Sequence, residues 1–169
     1  MINVLGLNTR VPYHALFYSF VFGGSVFHSF VVSPIAFKVL PRQEFGRLQN
    51  HIFPGYFLGQ TLAPLILGLT TPLKLCPFSI GVLAVSGLAG ALNYFVLLPS
   101  CQQVKAEREK LVADKKHEKI ENGVSVPTKE YTELSKKFGF YHGISTLLNL
   151  GSIVTLGVYG LLLSRKMIK

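Results

Sequence analysis

Five polar side chains that could do chemistry lie inside long uncharged stretches of the sequence. Each carries an amide or an imidazole, and they are His28, Gln60, Asn93, His142 and Asn149. In lipid such groups are disfavoured unless they find partners, so each is a candidate for a functional site. Two interpretations stay open: a site for a substrate, proton or ligand, or hydrogen bonds that only join helices. Two other histidines, His14 and His51, lie near the ends of these stretches, where we expect them to be hydrated.

The distribution of charge predicts the elements that carry these side chains. No Asp, Glu, Lys or Arg occurs in residues 11–37, 48–73, 75–104 and 138–164. Helices of a soluble domain need a polar face, whereas roughly 20 mostly apolar residues span a bilayer. We therefore predict an all-α fold, a bundle of four transmembrane helices in a single domain over residues 1–169. The predicted spans are at about 13–37, 52–71, 78–98 and 138–163.

Residues 100–137 are the long polar connection between spans three and four. We predict a polar helix from about Ser100 to Glu121, a turn at Asn122–Gly123, and a helix that runs from about Thr128 into span four. Span two is predicted to hold Pro54 in its first turn, where proline is tolerated.

Basic residues beside the spans predict the orientation in the membrane. Twelve Lys and Arg lie in the first and third connections, and five lie at the termini and in the second connection. The more basic side faces the cytosol by the positive-inside rule. At ~1.5 Å per residue the five polar side chains then lie roughly 8–18 Å from the cytosolic edge. If they face inward, they line a polar pocket that opens towards the cytosol.

Small residues spaced four apart predict close helix packing, because helices in lipid associate through van der Waals contact. All four spans carry such a pattern, and span three carries two. The positions are Ser25, Ser29 and Ser33, Gly55, Gly59 and Ala63, Ser86 with Gly90, Gly87 with Ala91, and Gly139 with Gly143. A compact bundle explains them, and homo-oligomerisation through one of these faces is the alternative.

Common catalytic motifs are absent from the sequence. It has no H-E-x-x-H, no G-x-S-x-G, no phosphate-binding glycine loop and no paired intramembrane carboxylates. We therefore expect no enzyme activity, no cofactor and no metal. A haem or metal site on two histidines is a third, weaker hypothesis. Most of the net charge of +9 lies beside the spans, which indicates contact with anionic lipid rather than nucleic acid.

Three segments resemble the transmembrane protein 205 family. They are residues 37–57 (FKVLPRQEFGRLQNHIFPGYF), residues 93–111, where Asn93, Pro99 and V-x-x-E-R match, and residues 141–151 (YHGISTLLNLG). His28 has no counterpart in that pattern, so the resemblance favours His142 and Asn149 as shared site residues. It implies a multi-pass membrane protein of undefined biochemistry, with a role in drug or metal-compound resistance through membrane traffic or export.

The first connection is a further candidate site at the cytosolic interface. Its residues are Pro41, Arg42, Arg47, Gln49 and Pro54. They are expected either to fix the hairpin between spans one and two or to bind lipid headgroups.

Two functions compete at this stage. The first is a non-enzymatic scaffold or trafficking and resistance factor of the endoplasmic reticulum or another endomembrane. Its partners would be the lipid bilayer, other copies of the chain or other membrane proteins. The second is a small transporter or channel subunit that uses the cytosol-facing polar pocket.

Overall fold

The computed structural model describes the backbone of residues 6–167 and the side chains of residues 6–165. Four helices in this part are long and apolar enough to cross a membrane, and we call them spans one to four. They are Val11–Val39, Arg42–Thr70, Pro77–Ala113 and Lys129–Arg165. The prediction of an all-α, four-helix membrane architecture is confirmed. The side chains of Lys166 and Lys169, which entered the predicted orientation, lie outside the described residues.

Spans one and three each contain one wide π-helical turn. Span one consists of α1 (Val11–Phe27), the π turn His28–Val32 and α2 (Ser33–Val39). Span three consists of α4 (Pro77–Leu92), the π turn Asn93–Leu97 and α5 (Leu98–Ala113). A proline follows each turn, Pro34 and Pro99, and its ring would clash with the carbonyl four residues earlier in a regular helix. The wide turn relieves that clash. A polar residue, His28 or Asn93, opens each turn.

Span two is a single helix, α3 (Arg42–Thr70), which starts directly after Pro41. Pro41 has an extended backbone (φ −52°, ψ 144°) and ends the two-residue connection from α2. The prediction that Pro54 lies in the first turn is wrong, since Pro54 lies well inside the helix. The charges of this first connection mark the edge of the apolar stretch, but Arg and Glu are good helix formers and the helix continues through them.

The connection between spans three and four contains a β-hairpin. The predicted helix up to Glu121 is wrong, because α5 ends at Ala113 and the hairpin pairs Glu118–Glu121 (β1) with Val124–Pro127 (β2). The predicted Asn122–Gly123 turn is confirmed: both residues have positive φ, 52° and 79°, as a type I′ turn requires. Helix α6 (Lys129–Met167) then runs without interruption into span four.

The backbones of α3 and α4 approach each other closely at Gly90. A Cβ on Gly90 would lie 2.7 Å from the backbone carbon of Gln60 and the backbone nitrogen of Thr61. Only glycine therefore allows this approach. The core beside it is formed by five buried residues of α3, α4 and α6: Leu67, Val82, Leu83, Leu156 and Tyr159.

Gly87 also packs against α3, at Thr61 and Pro64, whereas the glycines of the patterns in spans two and four contact no other helix within the described residues. No heavy atom lies within 4 Å of a Cβ placed on these four glycines: Gly55, Gly59, Gly139 and Gly143. Four-residue spacing identified faces that permit close approach, but it did not identify which of those faces meets a neighbouring helix.

Replacement of Gly90 by alanine is expected to destabilise the bundle, because the new methyl group collides with the backbone of α3. Overpacking of this kind costs about 1–3 kcal/mol. Thermal unfolding of the purified protein in detergent, followed by loss of the monodisperse chromatographic peak, measures the effect. Gly81→Ala on the same helix is the control, since nothing lies within 4 Å of its Cβ. Equal midpoints for the two variants would contradict the close contact.

Candidate functional site

A network of hydrogen bonds joins spans one, two and four in the middle of the bundle. The Tyr56 hydroxyl donates to Asn149 Oδ1 at 2.8 Å, and Gln60 Nε2 donates to the same oxygen at 2.7 Å. Asn149 Nδ2 in turn donates to Ser29 Oγ at 2.9 Å. Gln60 Nε2 also lies 3.1 Å from the Tyr56 hydroxyl. Asn149 is thus the centre of the network, with partners on two other spans.

A second, shorter set of contacts links span one to α3 nearer the predicted cytosolic edge. Gln49 Nε2 donates to Ser33 Oγ at 3.3 Å, and His28 Nε2 lies 3.3 Å from the same oxygen. The His28 ring also packs edge-on against Phe53, with 6.2 Å between centroids. Gln49 is buried, and its Oε1 has no partner among the described residues. This amide keeps an unused acceptor inside the protein.

These two sets of contacts form one wall of a cavity of about 780 Å³. The cavity lies among the second half of span one, the first half of α3, the start of α5 and the middle of α6. A volume of that size is within the range of roughly 300–1,000 Å³ that small-molecule sites occupy. Its apolar wall includes six large side chains: Phe30, Phe37, Phe45, Phe53, Leu98 and Ile153.

The structure brings three of the five predicted intramembrane residues to the cavity. His28, His142 and Asn149 line it. The His142 ring stacks on Phe138 with parallel planes, 5.8 Å between centroids, and makes no hydrogen bond to a described residue. His142 is therefore open to a molecule in the cavity, whereas Asn149 is largely committed to its partners.

The other two predicted residues lie behind the cavity wall. Gln60 is buried and reaches the cavity only through its partners Tyr56 and Asn149. Asn93 is fully buried and donates from Nδ2 to the carbonyl oxygen of Ser145 at 3.2 Å. Both amides bridge spans, so depth in the membrane alone did not distinguish a lining residue from a bridging one.

The candidate site residues of the first connection do not lie together in the structure. Arg42 and Gln49 line the cavity. Arg47 is on the outside, where its guanidinium lies 3.1 Å from the Glu44 carboxylate. Pro41 and Pro54 serve the backbone, as the start and an interior position of α3.

The end of the cavity nearest the predicted cytosolic edge, which we call its mouth, has two basic residues that were missed from the sequence. Lys105 and Arg108 of α5 line the cavity beside Arg42. They were grouped with the solvated polar connection because they follow the uncharged stretch. Their spacing of three residues puts them on the same face of a helix, and this was the available signal.

At the other end of the bundle, His14 joins three spans. Its Nδ1 lies 2.9 Å from Thr70 Oγ1, and its Nε2 lies 2.9 Å from the Tyr159 hydroxyl, which also donates to Thr71 Oγ1 at 2.7 Å. The prediction that His14 is hydrated is wrong, because its side chain is only 2% exposed. A position near the end of an apolar stretch did not reveal that α3 and α6 surround this ring.

Within the described residues, no group of three His, Cys, Asp or Glu side chains is placed to hold a metal ion. The two cavity histidines come from different spans, and His28 already has Ser33 as a partner.

The chain is similar to one family and to two proteins whose printed descriptions name no activity. The pattern of a family described as "Domain of unknown function (DUF4149)" matches residues 16–110. The "Xanthocillin biosynthesis cluster protein D" of Aspergillus fumigatus is 28% identical over 169 residues, which cover 96% of this chain and 94% of that protein. An "Uncharacterized protein" of Aquifex aeolicus is 36% identical over 94 residues, which cover 55% of this chain and 70% of that protein. No solved structure matches the chain.

Replacement of Asn149 by alanine is expected to lower stability, because it removes the amide group to which Tyr56, Gln60 and Ser29 are all hydrogen-bonded. Single interhelical hydrogen bonds in membranes contribute about 0.6–2 kcal/mol, so the loss should be clear in thermal unfolding in detergent. His142→Ala is the comparison on the same helix, and its midpoint should stay close to that of the wild type. Equal losses for the two variants would contradict the division between a bridging asparagine and a cavity-lining histidine.

Proposed function

Since the chain belongs to the DUF4149 family, whose activity is undefined, we propose a function from the geometry of its cavity. The protein is a multi-pass membrane protein that binds a small amphipathic molecule between spans one, two, three and four. The observation that carries the proposal is the cavity itself, which has aromatic and aliphatic walls, a few polar groups and a basic mouth. Such a combination is typical of small-molecule sites.

Binding rather than catalysis suits the groups that line the cavity. The lining supplies imidazole, amide, hydroxyl, guanidinium and ammonium groups, and it contains no Asp or Glu among the described residues. Cys101 is the single lining thiol, and no described base is bonded to it. These groups can orient a ligand and hold an anion, and we propose no reaction for them.

Transport is a natural extension of the proposed binding. The buried cluster of Leu67, Val82, Leu83, Leu156 and Tyr159 fills the bundle on the far side of the network. In this conformation the cavity is thus closed towards that end of the bundle and does not cross it as a pore. A carrier function would require that cluster to rearrange, and a channel would require several copies to assemble.

We also propose a cellular role and a membrane in which the protein acts. The resemblance to the transmembrane protein 205 family supports a membrane factor of traffic or compound resistance, in the endoplasmic reticulum or another endomembrane. The printed name of the Aspergillus fumigatus relative associates that protein with a biosynthesis cluster. A role towards a small molecule agrees with both.

A scaffold function is the second candidate, and one observation favours it. The glycine pairs Gly55 with Gly59 and Gly139 with Gly143 have open space above them. Glycines spaced by four allow the backbone of another helix to approach closely in lipid. A second copy of the chain or another membrane protein is the expected occupant of such a face.

Alkylation of the two native cysteines tests the proposed binding. Cys101 lines the cavity, and Cys76 is exposed in the connection before α4. A hydrogen bond from the backbone N–H of Ser79 lowers the pKa of the Cys76 thiol, which favours its reaction with a maleimide. We expect at least one oleoyl amphiphile, among monooleoylglycerol, lysophosphatidylcholine, oleate and lysophosphatidic acid, to slow the reaction of Cys101 and leave that of Cys76 unchanged.

A pair of tryptophan variants provides the control. Thr146 lines the cavity, whereas its neighbour Leu147 is 69% exposed on the outer face of α6. Thr146→Trp should fill the cavity and abolish the protection of Cys101, and Leu147→Trp should preserve it. Lack of selective protection by any of the four amphiphiles would refute the proposed function.

A further inference from the structure

The mouth of the cavity is strongly basic. Arg42 of α3 and both Lys105 and Arg108 of α5 line it, and the described lining residues include no carboxylate to balance them. The nearest acidic partner is Glu109, whose carboxylate is 3.9 Å from the Lys105 ammonium and whose side chain is 67% exposed. A long contact with an exposed carboxylate neutralises little of this charge. The mouth is thus complementary to an anion.

Arg108 is held in place by aromatic rings rather than by a counter-ion. Its guanidinium lies 5.1 Å from the centre of the Tyr131 ring and 5.6 Å from that of the Phe138 ring. One terminal nitrogen donates to the Tyr131 hydroxyl at 3.1 Å, while the buried Nε has no described partner. The planar fork of an arginine matches phosphate and carboxylate oxygens. The structure therefore presents a positioned guanidinium with unused donors.

Lys105, from the same face of α5, reaches α3. A Cβ on Gly46 would meet the Lys105 Nζ at 2.8 Å, so the ammonium rests on the backbone of α3 at this glycine. The Lys105 side chain is only 24% exposed. Two cations, from one face of α5, thus converge at the entrance to the cavity.

Away from the three basic residues, the cavity lining combines polar groups with large apolar side chains. The unpartnered Oε1 of buried Gln49 can accept a hydrogen bond from a ligand hydroxyl. Phe30, Phe53 and Ile153 are among the apolar side chains of the wall. An anionic head, a hydroxyl-bearing middle and a hydrocarbon tail would match the basic residues, Gln49 and this apolar surface.

The geometry points to an anionic lysophospholipid as the ligand, with its phosphate between Lys105 and Arg108, its free glycerol hydroxyl near Gln49 and its single acyl chain in the apolar part of the cavity. This assignment rests on the proposed function, since it names the ligand of the same cavity. The predicted orientation puts the mouth at the cytosolic leaflet, where anionic lipids are concentrated. The lipid enters from the membrane that surrounds the protein.

Headgroup dependence of Cys101 protection tests the assignment. Lysophosphatidic acid should give half-protection at a concentration at least about tenfold lower than monooleoylglycerol, which has the same acyl chain and a neutral head, as expected for two cationic contacts. The double variant Lys105→Gln with Arg108→Gln should raise the value for lysophosphatidic acid by about the same factor and leave the value for monooleoylglycerol within about twofold. Retained binding of the neutral lipid shows that the cavity of the variant is intact.

Two controls separate the sources of the effect. Lys110→Gln removes a charge from the same helix outside the cavity and should change neither lipid. Inorganic phosphate alone should not protect Cys101, and protection by phosphate at the same concentrations would overturn the lipid assignment in favour of free phosphate.

Equal protection by the neutral and the anionic lipid would overturn the assignment and leave the proposed function standing. Failure of every amphiphile to protect would remove both.

Discussion

Hydrogen bonds position span one in the bundle, in addition to the partial apolar packing of Phe17, Tyr18, Val21 and Phe22 against the core. Helix α1 buries only His14 and Ser25, and α2 buries only Ala36. Because lipid chains are as apolar as leucine, no hydrophobic effect drives the apolar side chains of this span out of the lipid. Its polar side chains do favour the bundle, because unsatisfied donors and acceptors are costly in hydrocarbon. His14 at one end and Ser29 near the middle therefore fix the position of the span, and the cavity is the space that remains beyond the second of these contacts.

The prolines of the odd-numbered spans shape the same space. Pro34 and Pro99 each force a wide turn in the preceding residues, since a regular turn would drive the ring into the carbonyl four residues back. One turn opens with His28 and the other with Asn93. A π turn advances the side chains that follow it by a different angle than an α turn does. The prolines therefore help to decide which side chains of spans one and three face inward.

The sequence was most informative where one physical constraint dominates. A bilayer excludes charge and requires helices, so the absence of charged residues over four stretches was enough to predict the architecture. Pairwise contacts are set by helix rotation, which spacing constrains only weakly. This is why Gly90 and Gly55 had equivalent signatures although only Gly90 meets another backbone. The hairpin around Asn122 was partly foreseen from its turn, but the strands are short and exposed, and their polar residues resemble those of a solvated helix.

The distinction between a site and a set of structural hydrogen bonds is decided residue by residue. At the end of the bundle that holds His14, the buried polar side chains of the described residues satisfy one another. Every buried side-chain polar atom that has no described partner belongs to the other half of the molecule: Gln49, Gln60, Asn93, Arg108 and His117. Unused hydrogen-bonding capacity is costly unless another molecule supplies the partner. At Gln49 and Arg108 this capacity borders a basic, apolar-walled cavity, which is the arrangement that a bound amphiphile would complete.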